Sequence, residues 1–363
     1  MTRVAIAHDY LTQRGGAERV VLAMTRAFPD APVYTALYNA STTFPEFRGV
    51  EIRSTWLDEI PVLRRRHRLA LPLLAPAFGR VEVEADVVVC SSSGWSHGIA
   101  TGGRKIVYCH TPARWLYDGA RYIGGRKGAA WAALSVLRPY LLRWDRRSAL
   151  GADRYLANST VIQRRIRDAY GIAADVVPAP PGMRESDERI PVDGVEPGFF
   201  LCVSRLLPYK NVHAVIGAFA GLDGARLIVV GDGPEAARLR ALASPSVRLV
   251  GSVSDGELRW LYANCIAVVA AAHEDYGLTP LEAAVFGRPS VTLRGGGFLD
   301  TVVDGKTGVF FDHPEPAEIR AAVTAASARA WDEAALRAHA NSFSEHRFGE
   351  RLRAHVDQEA ALC

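Results

Sequence analysis

At 363 residues, with 49% hydrophobic and 23% charged side chains, the chain exceeds one ordinary domain and suits two, each able to bury its own core; this composition excludes a mostly disordered protein. Cys90, Cys109, Cys202, Cys265 and Cys363 are odd in number, scattered and without a C-x-x-C pair, which argues against a disulfide framework or a zinc site and fits a reducing cytosol. The net charge of +4 divides unevenly: residues 1–180 hold 25 Lys and Arg against 15 Asp and Glu, residues 181–363 hold 18 against 24, and with an acidic second half and no zinc-finger or RRM motif, nucleic acid is not an expected partner.

The stretch VAIAHDY reads as a buried strand, and AERVVLAMTRAF has helical periodicity. Gly15-Gly16 falls in the turn between them. By itself such a pair is a tight turn, and it is not the G-x-G-x-x-G dinucleotide fingerprint. Arg64-Arg65-Arg66-His67-Arg68 precedes an apolar LALPLLAPAF, and WAALSVLRPYLLRWDRR later mixes Trp and Leu with arginines. Segments of this kind either solvate one face while packing the other or lie on an anionic membrane surface. No apolar run reaches the length of a spanning helix, and the first residues lack a signal-peptide core. The expected location is therefore cytoplasmic, with peripheral contact at the inner membrane face as its variant.

Further strands are expected near DVVVCSSS, KIVYCH and DRYLANS. RESDERIPVDGVEPG reads as a linker. A second series follows in FFLCVSRL, ARLIVVGDGP, SVRLVGSV, IAVVAAA and SVTLRG, with helices between them. Alternating strands and helices predict an α/β chain with two doubly wound, Rossmann-like domains facing across a cleft: 1–183, a linker 184–198, and 199–345. A helix over 346–363 is expected to pack back on the first domain. Ligands of such sheets bind beyond the carboxyl ends of the strands, where the candidate residues fall.

The stretch HEDYGLTPLE places Glu274 and Glu282 eight positions apart around Gly-Leu-Thr-Pro. Thr279, Pro280 and Glu282 fit the N-cap, first-turn proline and third-position acid of a capping box, which is one use for Glu282. The N–H groups of Gly277, Leu278 and Thr279 would then face a phosphate. Two carboxylates are superfluous for phosphate alone, but an ionised carboxylate accepts from adjacent sugar hydroxyls, so a nucleoside diphosphate sugar explains both features. Arg205 and Lys210 follow a predicted strand, where such cations are either a plain surface pair or a grip on phosphate. His110 follows another, where a histidine is either a satisfied structural residue or a ligand contact.

Glu274 through Glu282-Ala283-Ala284, with Gly287-Arg288-Pro289, Gly295-Gly296-Gly297 and Asp304 to Gly308, resembles the E-x7-E signature region of the retaining GT-B glycosyltransferases of family GT4. The resemblance runs over nearly the whole chain. It implies that Glu282 holds the donor ribose, Glu274 contacts the donor sugar, Arg205 and Lys210 (R-x4-K) bind the diphosphate, and Gly15-Gly16 approaches the donor from the opposite domain. The stretch from Tyr108 to Asp118 resembles that of GT4 mannosyltransferases of bacterial surface polysaccharides, in which the histidine, here His110, lies near the donor sugar. At Leu299-Asp300-Thr301-Val302 the chain departs from the family's Glu-Thr or Glu-Ile.

These likenesses imply a hexosyltransferase that moves mannose from GDP-mannose to a glycan or polyprenol-diphosphate-linked glycan, needing no metal and no cofactor beyond the nucleotide-sugar donor. A nucleotide-sugar epimerase of the same architecture and a non-catalytic sugar-nucleotide-binding protein are the other readings. An NAD-dependent oxidoreductase lacks its fingerprint here.

Overall fold

The computed structural model describes residues 2–117 and 129–363; Asp118, at the end of the His110 stretch, lies outside them. Two compact units emerge: residues up to Pro180 together with Glu345–Cys363, and Pro181–Ser344.

The first unit contains β1 (Val4–His8), β2 (Val33–Thr35), β3 (Ile52–Ser54), β4 (Glu82–Val83), β5 (Val87–Ser92), β6 (Ala100–Thr101), β7 (Arg104–Cys109), β8 (Arg154–Ala157) and β9 (Asp175–Val176). Seven of these form one sheet in the order β3-β2-β1-β5-β7-β8-β9, while β4 and β6 pair separately. All the pairings are parallel. Strands covered on both faces read as continuous apolar runs, and all six residues of β5 are buried. The chain moves outward from β1 to β3 and then returns to β5 on the other side of β1. This reversal puts a ligand-accepting edge at the carboxyl ends of β1 and β5.

The second unit repeats the plan with β10 (Phe199–Val203), β11 (Leu227–Val230), β12 (Val247–Gly251), β13 (Cys265–Ala270), β14 (Ser290–Leu293) and β15 (Gly308–Phe311). Their order is β12-β11-β10-β13-β14-β15, again parallel and with the reversal between β10 and β13. The acidic segment read as a linker packs onto this unit. Val192 and Val195 are buried with Phe199, Leu201, Leu261 and Phe286, so its two valines outweigh its charged residues.

The last helix, Glu345–Ala360, belongs to the first unit. Phe348 meets Tyr108 edge-on at 5.6 Å, and Glu359, 2% exposed, receives Arg104 Nη2 and Arg154 Nε, both at 2.7 Å. Four of the five cysteines are buried, and among the described residues none forms a disulfide. Burial pushes the thiols of Cys90, Cys202 and Cys265 up to about 12. Among the described residues no helix is long and apolar enough to cross a membrane.

Candidate functional site

In the second unit the polar candidates gather where the sheet order reverses. After β10 the chain makes a short 3-10 turn, Pro208–Lys210, and Asn211 takes a left-handed conformation at φ 55°. Its side-chain amide donates to the Ala271 carbonyl at 3.0 Å, tying the loop after β10 to the loop after β13. Lys210, 9% exposed, is thereby set against Glu274, with Nζ 2.5 Å from Oε1. Arg205, on the same loop, is exposed. Its guanidinium makes no hydrogen bond or ion pair among the described residues, so a cation with no protein counter-charge stands beside a paired one.

The loop carrying Glu274 leads into the helix Leu278–Val285. Its N-cap is Gly277 at φ 98°, and no side chain caps it. A side chain on Gly277 would meet the Phe298 ring and the Thr301 hydroxyl, so glycine is required by backbone angle and by space. The glycine run after β14 braces this loop, with the Gly297 amide donating to the Glu274 carbonyl at 2.8 Å. An uncapped helix start of this kind offers backbone N–H groups and the positive end of the helix dipole to an anion.

The capping box does not form. The helix begins two residues earlier than the Thr-Pro pair suggested, which makes Thr279 its second residue and places Glu282 in the second turn. The Glu282 carboxylate instead accepts the Tyr262 hydroxyl at Oε2, 2.7 Å away. Tyr262 comes from the helix Asp255–Asn264, is fully buried and stacks on Phe286, 6.0 Å between ring centres and 2° between planes. Burial first and the Glu282 charge second push its phenol well above the usual range, so it remains a donor. Glu282 is half-buried and held by one oxygen to a rigid ring. Asp300, where the chain departs from the expected Glu, sits in the short helix Phe298–Thr301.

In the first unit Gly15 precedes the helix Gly16–Ala27 with extended backbone angles and no side-chain cap. Its absent side chain leaves room for Glu18, whose Oε2 would lie 2.5 Å from a β-carbon there. Glu18 is 1% exposed and its carboxyl is raised by burial, with His8 opposing. The loop after β5 is fixed by Asp9, which accepts from the Ser93 and Ser96 amides at 2.7 and 2.8 Å.

His110, just past β7, is half-buried. Its Nε2 lies 2.8 Å from Ser91 Oγ and its ring meets Tyr108 edge-on at 5.3 Å. Desolvation first, and the charge of His8 second, push its pKa down to about 3. It is therefore a neutral imidazole at physiological pH.

Thus Arg205, Lys210, Glu274, Gly277, Leu278, Thr279 and Glu282 gather at the carboxyl-end edge of the second sheet, and within the first unit Gly15, Gly16 and His110 follow the carboxyl ends of β1 and β7. Asn211, Tyr262, Asp9, His8 and Ser91 support them, and the first four were not legible as site residues. Only the Ser-Ser-Ser and Asn-Ser ends of β5 and β8 signalled polarity there. Among the described residues no group of three or more metal-ligating side chains occurs.

The family described as Glycosyltransferase Family 4 matches residues 14–186, and that described as Glycosyl transferases group 1 matches residues 183–342. The D-rhamnosyltransferase WbpZ of Pseudomonas aeruginosa is 29% identical over 206 residues, 52% of this chain and 53% of WbpZ. A GDP-mannose-dependent alpha-(1-6)-phosphatidylinositol monomannoside mannosyltransferase of Mycobacterium tuberculosis is 29% identical over 231 residues, 55% of this chain and 59% of its own length. The chain thus spans between half and three-fifths of the length of these relatives. HepE of Anabaena, solved in complex with UDP and glucose, shares the fold with a TM-score of 0.72 at 18% identity, covering 98% of this chain and 100% of HepE. Sucrose-phosphate synthase of Thermosynechococcus elongatus does so at 0.71 and 16%, covering 99% and 100%.

Proposed function

The chain belongs to the family-4 glycosyltransferases, of GT-B fold, and from that premise we propose that it moves a hexose, mannose from GDP-mannose, to a hydroxyl of a glycan or polyprenol-diphosphate-linked glycan with retention of configuration. The observation that carries this is the arrangement in the second unit: an uncapped helix start, a cation without a partner among the described residues and a Lys–Glu pair on one sheet edge. Glu282 is half-buried nearby.

In this reading the diphosphate takes up the Arg205 guanidinium, the Lys210 ammonium and the amides of Gly277, Leu278 and Thr279. These are preorganised donors placed where leaving-group charge develops. Glu282, steadied by Tyr262, accepts the ribose hydroxyls. Glu274 and His110 orient the hexose, and Gly15-Gly16 allows close approach to the donor. Lys210 serves two partners: it holds Glu274 in the unliganded protein and adds its charge to the diphosphate when donor binds. The departing phosphate oxygen takes the acceptor proton, so no side chain need be a general base. Donor identity is supported by the GDP-mannose-dependent relative.

An anionic membrane as peripheral partner is supported by the first unit. Between Trp56 and Leu73 the large apolar residues Trp56, Ile60, Val62, Leu69 and Leu73 are exposed around Arg65 and Arg66, which are exposed as well. Apolar area interleaved with cations is the chemistry of an interfacial segment.

The deciding experiment is incubation of the purified protein with a panel of nucleotide sugars, with and without lipid-linked acceptors. Transfer from GDP-mannose dependent on acceptor is the expected result. Conversion of donor without acceptor would indicate an epimerase, and binding without turnover a sensor. Absence of binding to anionic vesicles at low salt would remove the membrane from the scheme and favour a small soluble acceptor.

A further inference from the structure

His110 does not stand alone at its strand end. His8 Nδ1 lies 3.0 Å from the Ser91 carbonyl oxygen and 3.1 Å from Ser91 Oγ, and Ser91 Oγ lies 2.8 Å from His110 Nε2. His8 and Ser91 are 2% and 0% exposed, so no water competes for these atoms. A carbonyl oxygen only accepts, which requires that His8 Nδ1 carry a proton whatever the charge on that ring. His8 Nδ1–H then faces Ser91 Oγ as well, and the hydroxyl cannot donate back to it.

Among the described residues the Ser91 hydroxyl hydrogen has one acceptor left within reach, His110 Nε2. Were His110 Nε2 also protonated, two N–H donors would converge on one buried hydroxyl and its own hydrogen would have no acceptor, an arrangement that costs the full desolvation of a buried donor. The Ser91 carbonyl is occupied too, by the Ser96 hydroxyl at 2.9 Å. The remaining nitrogen, His110 Nδ1, makes no hydrogen bond among the described residues. The groups around the ring are Tyr108, His8 and Ser91, with Asn158 on its backbone carbonyl.

We propose that Ser91, itself oriented by His8, is a positioning residue that fixes His110 as the Nδ1–H tautomer, so that His110 donates a hydrogen bond to an oxygen of the bound sugar nucleotide and takes no proton in the reaction. This deepens the glycosyl-transfer reading and rests on it for the ligand, though the tautomer is a property of the protein alone. A hydrogen bond at one ring nitrogen that sets which proton the other carries is a general device for a functional imidazole.

The test is nitrogen-15 NMR of histidine-labelled protein at neutral pH, with His110 and His8 assigned through His110→Gln and His8→Gln. The expected pattern is a pyrrole-like Nδ1 and a pyridine-like Nε2 for His110. Ser91→Ala should let both tautomers appear, Ser91→Thr should restore the single one, and Ser91→Ala should lower kcat/KM about tenfold, equivalent to about 1.4 kcal/mol, the scale of one neutral hydrogen bond. A pyrrole-like Nε2 in the wild-type protein, or nitrogen shifts unmoved by Ser91→Ala, would overturn the assignment. The expected tautomer in a protein that turns over no sugar nucleotide would support the pinning and defeat the glycosyl-transfer reading, so the two failures are distinguishable.

Discussion

Arg205 and Lys210 lie on one loop in very different surroundings, and substituting each by alanine separates ligand chemistry from folding. Arg205 is exposed and its guanidinium has no partner among the described residues, so Arg205→Ala should leave unfolding free energy within about 0.5 kcal/mol of wild type. Its proposed contact with the departing diphosphate is worth about 2–4 kcal/mol of transition-state stabilisation. That corresponds to a fall in kcat/KM of about thirty-fold to a thousand-fold.

Lys210→Ala removes the same kind of contact and also strands Glu274, whose side chain is 31% exposed. Its folding cost should be about 1–2 kcal/mol, between that of an exposed pair and of a buried pair that loses one partner. Initial rates with radiolabelled GDP-mannose and denaturant melts of both variants provide the comparison. If Arg205→Ala kept more than a third of the wild-type rate, or lost as much stability as Lys210→Ala, the division of labour argued for this loop would be wrong.

Tyr262→Phe should cost about 1 kcal/mol of stability through loss of one buried hydrogen bond and should raise KM for donor more than it lowers kcat, because Glu282 loses its tether; denaturant titration and steady-state kinetics read the two effects. His110, with its pKa pushed down to about 3 from an unfolded value of about 6.5, contributes stability that is complete above the unfolded value and drains away as pH falls toward 3. His110→Gln should flatten the stability–pH curve in that window, by a slope of at most about 1.4 kcal/mol per pH unit, and activity between pH 5 and 8 should show no inflection from this residue. Burial alone would raise the Glu359 carboxyl, but hydrogen bonds from Arg154 and Arg104 hold it below its ordinary value. Docking of the helix Glu345–Ala360 should therefore persist at neutral pH and weaken only as pH drops through the depressed value, with hydrogen exchange of that helix as the readout. Glu359→Ala should weaken docking at every pH.

The parallel α/β plan was legible because strands buried on both faces write themselves as unbroken apolar runs, as in DVVVCSSS and IAVVAAA. The three residues of β2 and the two of β9 are too short to show any period. A polar site at this strand end was suggested where a glycine, a proline and two glutamates crowd into ten residues, and the structure brings Glu274 there beside Lys210. The start of the helix Leu278–Val285 was misplaced, because a left-handed glycine cap and a Thr-Pro start compete within three positions, and packing of Gly277 against Phe298 and Thr301 decides between them. Tyr262 and Asn211 left no signal, since each acts on a partner brought to it by the sheet topology, 20 residues away for Glu282 and 60 for Ala271, while Ser91 showed only as part of a polar Ser-Ser-Ser strand end whose partner His110 lies 19 residues on.

The pairing of Glu282 with ribose is tested most directly by calorimetric affinities of GDP and 2′,3′-dideoxy-GDP for the wild-type protein and Glu282→Ala. Deleting the two hydroxyls should weaken binding to wild type by about 1.5–3 kcal/mol, the range of hydrogen bonds to a charged group, and should barely change binding to the variant. An equal loss in both proteins would mean that the carboxylate does not meet the ribose.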